Sequence, residues 1–291
     1  MTETKNQVGR VLVLGSTGML GNALMRFLAL SEGVEVWGTA RRMPPEFRSQ
    51  PFSERIIGGV DVEDMDSVIR VFAMVRPQAV INCVGLVKQL AEAEDPLRAI
   101  PINALLPHRL ARLSAACDAR FLHISTDCVF TGRKGMYVES DPPDAQDLYG
   151  RSKHLGEVDC PHAITLRTSI IGHELNSAHG LVEWFLGQNG AVQGYRKAVF
   201  AGLPTVELAR VIRDHVLPRL DLRGVYHVSA APISKYDLLG LVAREYGRAT
   251  EIVLDDRVVI DRSLDSSRFR AATGYFPPPW PELVRSMHAF G

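Results

Sequence analysis

The sequence predicts an α/β fold, a doubly wound parallel sheet covered by helices, with a smaller lobe interleaved in its C-terminal half. Three observations carry this. Short apolar runs alternate with amphipathic stretches through most of the chain. The runs are apolar at consecutive positions, as expected of strands covered on both faces. A glycine-spaced turn, Gly15-Ser16-Thr17-Gly18-Met19-Leu20-Gly21, joins the first run to the first amphipathic stretch.

Taken in order, the pattern predicts a strand over 11–14 and a helix over 19–30, then strands over 34–39 and 55–60. An amphipathic helix over 66–75 stops before Pro77, and a strand over 79–84 is bounded by Gly85. A helix over 102–117 leads to a strand over 120–125, and further strands fall at 163–167 and 225–228. After Arg167 the pattern loosens, with Gly172, Gly180, Gly187, Gly190 and Gly194 spread around Trp184 and Phe185. No Gly/Ser- or Pro-rich linker separates the parts, so the boundary is expected to be interleaved. Residues 1–167 and about 198–231 are assigned to the dinucleotide-binding domain, and about 168–197 and 232–291 to the substrate lobe.

Composition excludes several classes. With 291 residues, 46% hydrophobic and 23% charged, the chain can bury a core and is not a disordered segment. Lys+Arg and Asp+Glu both number 33, which argues against nucleic acid as a partner. Cys83, Cys117, Cys128 and Cys160 form no C-x-x-C pair, so reduced thiols and a cytoplasmic location are expected. No apolar stretch is long enough to span a membrane, and residues 1–10 hold no secretory apolar segment. His173, Glu174 and His179 lack the spacing of a helical metal site, so no metal is expected.

The glycine turn has a chemical reading. Glycines let the backbone turn sharply and approach a pyrophosphate, whose charge is met by N–H groups at the helix N-terminus. The strand before it and the helix after it favour dinucleotide binding over a structural turn. The second strand ends in Thr39-Ala40-Arg41-Arg42, with no acid placed to hold the ribose hydroxyls of NAD; Glu35 comes too early. Two guanidiniums suit a 2′-phosphate, so NADPH is the expected cofactor and NADH the alternative. Solvated loop arginines are the competing reading of Arg41 and Arg42. Asp61 and Val62, after the third strand, are placed to reach an adenine, although an Asp there also forms turns.

Tyr149 and Lys153 lie four residues apart, hence on one helix face. A lysine one turn away, with an oxidised nicotinamide nearby, would favour the phenolate and lower the tyrosine pKa. Ser125-Thr126-Asp127 ends a strand and puts hydroxyls at the sheet edge where doubly wound folds bind ligands.

These residues carry a resemblance. Gly15/Gly18/Gly21, Asn82-Cys83-Val84-Gly85, Ser125-Thr126-Asp127 and Tyr149-x-x-x-Lys153 resemble the extended short-chain dehydrogenase/reductases, with a Rossmann domain. Ser125-Thr-Asp-Cys-Val-Phe-Thr-Gly132, Tyr149-Gly-Arg-Ser-Lys153, Leu166-Arg-Thr168 and the late Ser263-Leu-Asp-Ser-Ser-Arg268 are similar to the dTDP-4-dehydrorhamnose reductases. The resemblance implies that Tyr149 donates a proton to the substrate carbonyl and that Thr126, or alternatively Ser125, hydrogen-bonds it. It implies that Lys153 holds the nicotinamide ribose, that Asn103 supports Lys153, and that Cys83, Val84 and Gly85 line the cofactor. Two departures stand out. Asp127 is followed by Cys128 where the family's sugar-nucleotide dehydratases carry a second acid, which disfavours dehydration, and the reductases carry tyrosine there.

A nucleotide-sugar partner would need cations, for which Arg167 and Arg196 are candidates, and Trp184 could stack on a base or sugar. The alternatives are that Arg167 caps its strand and that Trp184 packs with Phe185 and Leu181. The expectation is an NADPH-dependent reductase of a nucleotide-linked 4-keto-deoxysugar in surface polysaccharide synthesis, with homodimer formation left open. An NAD-dependent nucleotide-sugar epimerase, or a non-catalytic regulatory subunit binding the same ligands, remains the rival.

Overall fold

The consecutive apolar runs do form one buried sheet, because side chains at odd and even positions both find a core. The structure is a computed structural model that describes residues 9–88, 91–175 and 177–291. Its first strands are β1 (Arg10–Leu14), β2 (Glu35–Thr39), β3 (Ile56–Ile57), β4 (Ala79–Asn82), β5 (Arg120–Thr126) and β6 (Ala163–Thr168). The chain then passes through β7 (Ile170–Ile171), β8 (Val192–Tyr195), β9 (Ala198–Phe200) and β10 (Leu203–Pro204), and returns to the sheet with β11 (Gly224–His227). The seven strands are parallel in the order β11-β6-β5-β4-β1-β2-β3. In β1, Val11 and Val13 join one apolar core while Leu12 and Leu14 join another on the opposite face. The strand order reverses between β1 and β4, and the crevice beyond their carboxyl ends is where such sheets bind ligands.

Helices α1 (Met19–Ala29), α2 (Met65–Val75), α3 (Pro96–Ala99), α4 (Leu106–Ala116) and α5 (Leu148–Leu155) make the crossovers. The third strand is two residues long rather than the six expected over 55–60, because Gly58 and Gly59, the latter at φ +73°, end the extended run. The helix expected from residue 102 is π-helical over Ile100–Leu105 before α4 begins. Pro107 has no N–H to donate to the carbonyl of Asn103 four residues back, so the regular ladder is interrupted there.

The C-terminal half adds α6 (Leu181–Leu186), α7 (Thr205–Val211), β12 (Ile233–Ser234), α8 (Lys235–Glu245), β13 (Ile252–Asp255), β14 (Ile260–Asp261), α9 (Ser267–Thr273) and α10 (Trp280–Phe290). Three small sheets result, β10-β7, β13-β8 and β12-β9-β14. Among the described residues, strand β9 pairs with β12 and β14. Among the described residues, no helix is long and apolar enough to cross a membrane.

Candidate active site

The glycine turn lies in the crevice, at the carboxyl end of β1. Gly15 has φ +81°, and a Cβ there would come within 3.0 Å of a Val84 methyl. A Cβ on Gly21 would sit 2.1 Å from the Gly15 carbonyl oxygen, so α1 can pack this close only with glycine. At Gly18 the nearest atom to an added Cβ is 3.6 Å away, which leaves an open face. The N-terminus of α1 has neither a side-chain cap nor an acid in its first turn. Its N–H groups are therefore available to an anion, and the cradle fits a dinucleotide pyrophosphate. Thr17, Met19 and Leu20 lie on this turn and the start of α1, and Met19 meets the second lobe, where its methyl lies 2.7 Å from a Cβ added at Gly180.

Arg41 and Arg42 follow β2 on the surface, and neither has a carboxylate within ion-pair distance among the described residues. Asp61 is exposed, and one of its carboxylate oxygens accepts the Glu63 N–H at 3.0 Å, as a turn-forming Asp does. Val62 packs half-buried against the second core.

At the end of β4, the Asn82 amide donates to His123 Nδ1 at 3.2 Å while its oxygen accepts the Val84 N–H at 3.1 Å. His123 is fully buried and burial holds its pKa well below the usual range, so it stays a neutral acceptor. This chain of bonds fixes the turn Cys83-Val84-Gly85. Asn103, buried on the π-helical turn, accepts the Leu86 N–H at 2.9 Å and donates to Ser152 Oγ at 3.3 Å. A Cβ on Gly85 would lie 3.3 Å from Asn103 Oδ1 and 3.7 Å from Lys153 Nζ. Asn103, Gly85 and Lys153 thus form one floor beneath the crevice.

Asp147 caps α5, accepting the Gly150 N–H at 2.7 Å, and so sets the helix that carries Tyr149 and Lys153. Lys153 is 5% exposed and donates to the Ile124 carbonyl at 2.8 Å; burial lowers its pKa to about 8. Burial is the first cause that raises the Tyr149 pKa, with Cys128 and Asp127 adding to it, while the nearby Thr126 hydroxyl works the other way. The expected lowering by Lys153 is therefore not a property of this chain's own residues: desolvation of the phenolate dominates. The phenol is protonated at neutral pH, the state a proton donor needs. Thr126 Oγ1 accepts the Cys128 N–H at 3.1 Å and lies 3.2 Å from an Asp127 carboxylate oxygen.

The structure does not bring every expected residue to this point. Ser125 is turned away, its hydroxyl donating to Glu157 at 2.8 Å, which leaves Thr126 as the hydroxyl beside Tyr149. Arg167 is 4% exposed and makes two bonds of 2.7 Å to Glu157. It also donates to His227 at 3.3 Å and lies 5.3 Å from the Phe130 ring centroid. Its role as a phosphate cation is corrected to that of a buried tie between strand ends, since its charge is already neutralised. Arg196 is exposed on the turn between β8 and β9 and is paired with Asp256. Trp184, 39% exposed on α6, points away from the core that Phe185 fills. Glu157 was not singled out in the sequence; an arginine within the otherwise uncharged run Ala163–Thr168 was the available signal, since such a charge, once buried, needs an acid.

The fold and this arrangement define a member of the extended short-chain dehydrogenase/reductases. The sequence profile of the RmlD substrate binding domain matches residues 9–258, and the chain belongs to that family. Among relatives, it is 29% identical to methionine adenosyltransferase 2 subunit beta of Danio rerio over 80% of this chain and 73% of that protein. It is 28% identical to the spore coat polysaccharide biosynthesis protein SpsK of Bacillus subtilis (strain 168), over 84% of this chain and 82% of that one. Among solved structures, the dTDP-4-dehydrorhamnose reductase of Bacillus anthracis str. Ames in complex with NADP superposes with a TM-score of 0.81 at 20% identity. That match covers 97% of this chain and 98% of the other.

Proposed function

We propose that this protein uses NADPH to reduce the keto group of a nucleotide-linked 4-keto-deoxysugar in surface polysaccharide synthesis. The observation that carries the reading is the placement of Tyr149 and Lys153 one helical turn apart on α5, with Lys153 bonded to the strand that ends in Thr126, at the crevice of the glycine turn. The bound dinucleotide would supply the hydride to the carbonyl carbon. Thr126 and Tyr149 orient the carbonyl oxygen, and Tyr149 delivers the proton to it, so the ketone becomes an alcohol. Lys153 would hold the nicotinamide ribose and stabilise the phenolate left behind. Arg41 and Arg42, free of carboxylate partners among the described residues, would read the 2′-phosphate. The likeness to SpsK supports the polysaccharide setting.

The test is NADPH consumption across a panel of nucleotide-linked 4-keto sugars, read by loss of nicotinamide absorbance. Turnover with at least one supports the reading. No net oxidation with any of them, together with stoichiometric tightly bound NAD, would favour the epimerase. A regulatory subunit binding the same ligands is the other reading, favoured by the likeness to the methionine adenosyltransferase subunit. It predicts ligand binding with no turnover, against which the presence of both Tyr149 and Lys153 counts.

A further inference from the structure

Arg167 and Arg196, the arginines expected to meet a substrate phosphate, are each paired with a carboxylate. Two other cations of the second lobe are not. Lys235 is the first residue of α8 and Arg262 follows β14, and among the described residues neither has a carboxylate within ion-pair distance. Both are half-buried, and a sheltered cation without a counter-charge is costly unless a ligand supplies one.

Their position is fixed by stitching between the lobes. The Asp261 N–H donates to the Gly132 carbonyl at 2.8 Å, and Arg262 Nε to the Phe130 carbonyl at 2.8 Å. The Met136 N–H donates to Ser263 Oγ at 2.8 Å and the Tyr137 N–H to the Ser263 carbonyl at 2.9 Å. These bonds hold residues 261–263 against the segment that follows Thr126. Ser234 of β12 and Asp261 of β14 both pair with Val199 of β9, so Lys235 and Arg262 follow on either side of the same strand position, where their charges also reach Asp127 and Cys128. Burial raises the Asp127 pKa, so this carboxyl supplies at most one negative charge against the two positive ones. The N-terminal end of α8, capped by Ser234, adds a further positive field at Lys235. Asp127 and Cys128 directly follow Thr126, so an anion held here belongs to the molecule being reduced. The phosphates of the cofactor are met at the carboxyl end of β1 instead.

We propose that Lys235 and Arg262 form the seat for the diphosphate that joins sugar to nucleoside in the substrate, setting which carbonyl reaches Tyr149. This rests on the reading of the substrate as a nucleotide-linked sugar. The free guanidinium nitrogens of Arg262 provide directional donors, and the Lys235 ammonium a compact charge.

The experiment uses NADPH-loaded protein and calorimetric titration with inorganic pyrophosphate, dTDP and UDP, and the nucleosides thymidine and uridine. Lys235→Met and Arg262→Lys are compared with the wild type, and Arg262→Met is added if it folds. The expected result is at least tenfold weaker binding of the diphosphates in each variant, with nucleoside binding within about threefold and NADPH affinity unchanged. With a turned-over keto sugar, KM should rise at least tenfold while kcat changes less. Diphosphate affinity unchanged in Lys235→Met, or no diphosphate binding by the wild type, overturns the seat. If a keto sugar is reduced with the same KM by Lys235→Met, the seat fails and the functional reading stands. If the variants lose pyrophosphate binding but no keto sugar is ever reduced, the functional reading fails and the seat stands.

Discussion

In the proposed reduction, Tyr149 gives up a proton at neutral pH although burial holds that proton firmly. Reduction makes this arrangement workable, since the proton leaves only as negative charge develops on the carbonyl oxygen and the resulting phenolate meets Lys153. Tyr149→Phe is expected to slow reduction by about 10²–10⁴-fold with NADPH affinity within twofold by fluorescence titration; near-normal turnover would remove the assignment. Lys153 titrates at about 8, because burial penalises its charge. Since kcat/KM reports the free enzyme, it should fall on the alkaline side through a pKa near 8, and Lys153→Arg should move or abolish that limb. A pH–rate profile checks both. Arg41→Ala with Arg42→Ala should weaken NADPH binding at least tenfold more than NADH binding. Equal losses in paired titrations would mean that the arginines do not read the phosphate.

At the scale of the element, the site depends on how two helices begin and break. Asp147 caps α5 and also pairs with Lys88 at 2.7 Å, so the cap fixes both the helix and the segment after β4. Asp147→Ala should cost about 1 kcal/mol of stability through the lost cap. It should also lower kcat several-fold, because Tyr149 is in the first turn. Equal kcat with a lowered Tm would show that the cap serves folding alone. The π-helical turn is the second device. It brings Asn103 under Gly85 and Lys153, and Gly156 leaves the Asn103 carbonyl room: a Cβ there would lie 2.0 Å from that oxygen.

Across the whole molecule, Glu157 and Arg167 tie the ends of β5, β6 and β11 together through Ser125 and His227. His227 donates from Nδ1 to the Tyr137 carbonyl at 3.0 Å, which leaves Nε2 to accept from Arg167 and extends the tie to the segment facing the second lobe. Hydrogen bonds and the Arg167 charge lower the Glu157 pKa to about 2 from 4.5, against the opposing pull of burial. A lowered carboxylate pKa stabilises the fold fully above 4.5, and that stability is lost as pH falls toward 2. Glu157→Gln should therefore flatten the dependence of denaturant stability on pH in that window. It should also cost about 3–5 kcal/mol at neutral pH, because Arg167 is left buried without its partner. An unchanged slope would show that the pair does not control acid stability.

The local pattern determined a good deal by itself. Consecutive apolar runs specified a sheet buried on both faces, and the glycine spacing specified a turn that only glycine permits at Gly15 and Gly21. Tyr149 and Lys153 were legible because four residues is one helical turn. Each of these properties belongs to a short stretch of chain. Tertiary structure decided the rest, because charge and burial are properties of neighbours. Arg167 reads as a cation in the sequence and is neutralised by Glu157, ten residues away and facing it across a strand end. Ser125 and Thr126 are equivalent as neighbouring hydroxyls until the strand pleat sends one to Glu157 and leaves the other beside Tyr149. Lys235 and Arg262 have no spacing that marks them, since only the docking of the second lobe onto residues 130–137 carries them to Asp127.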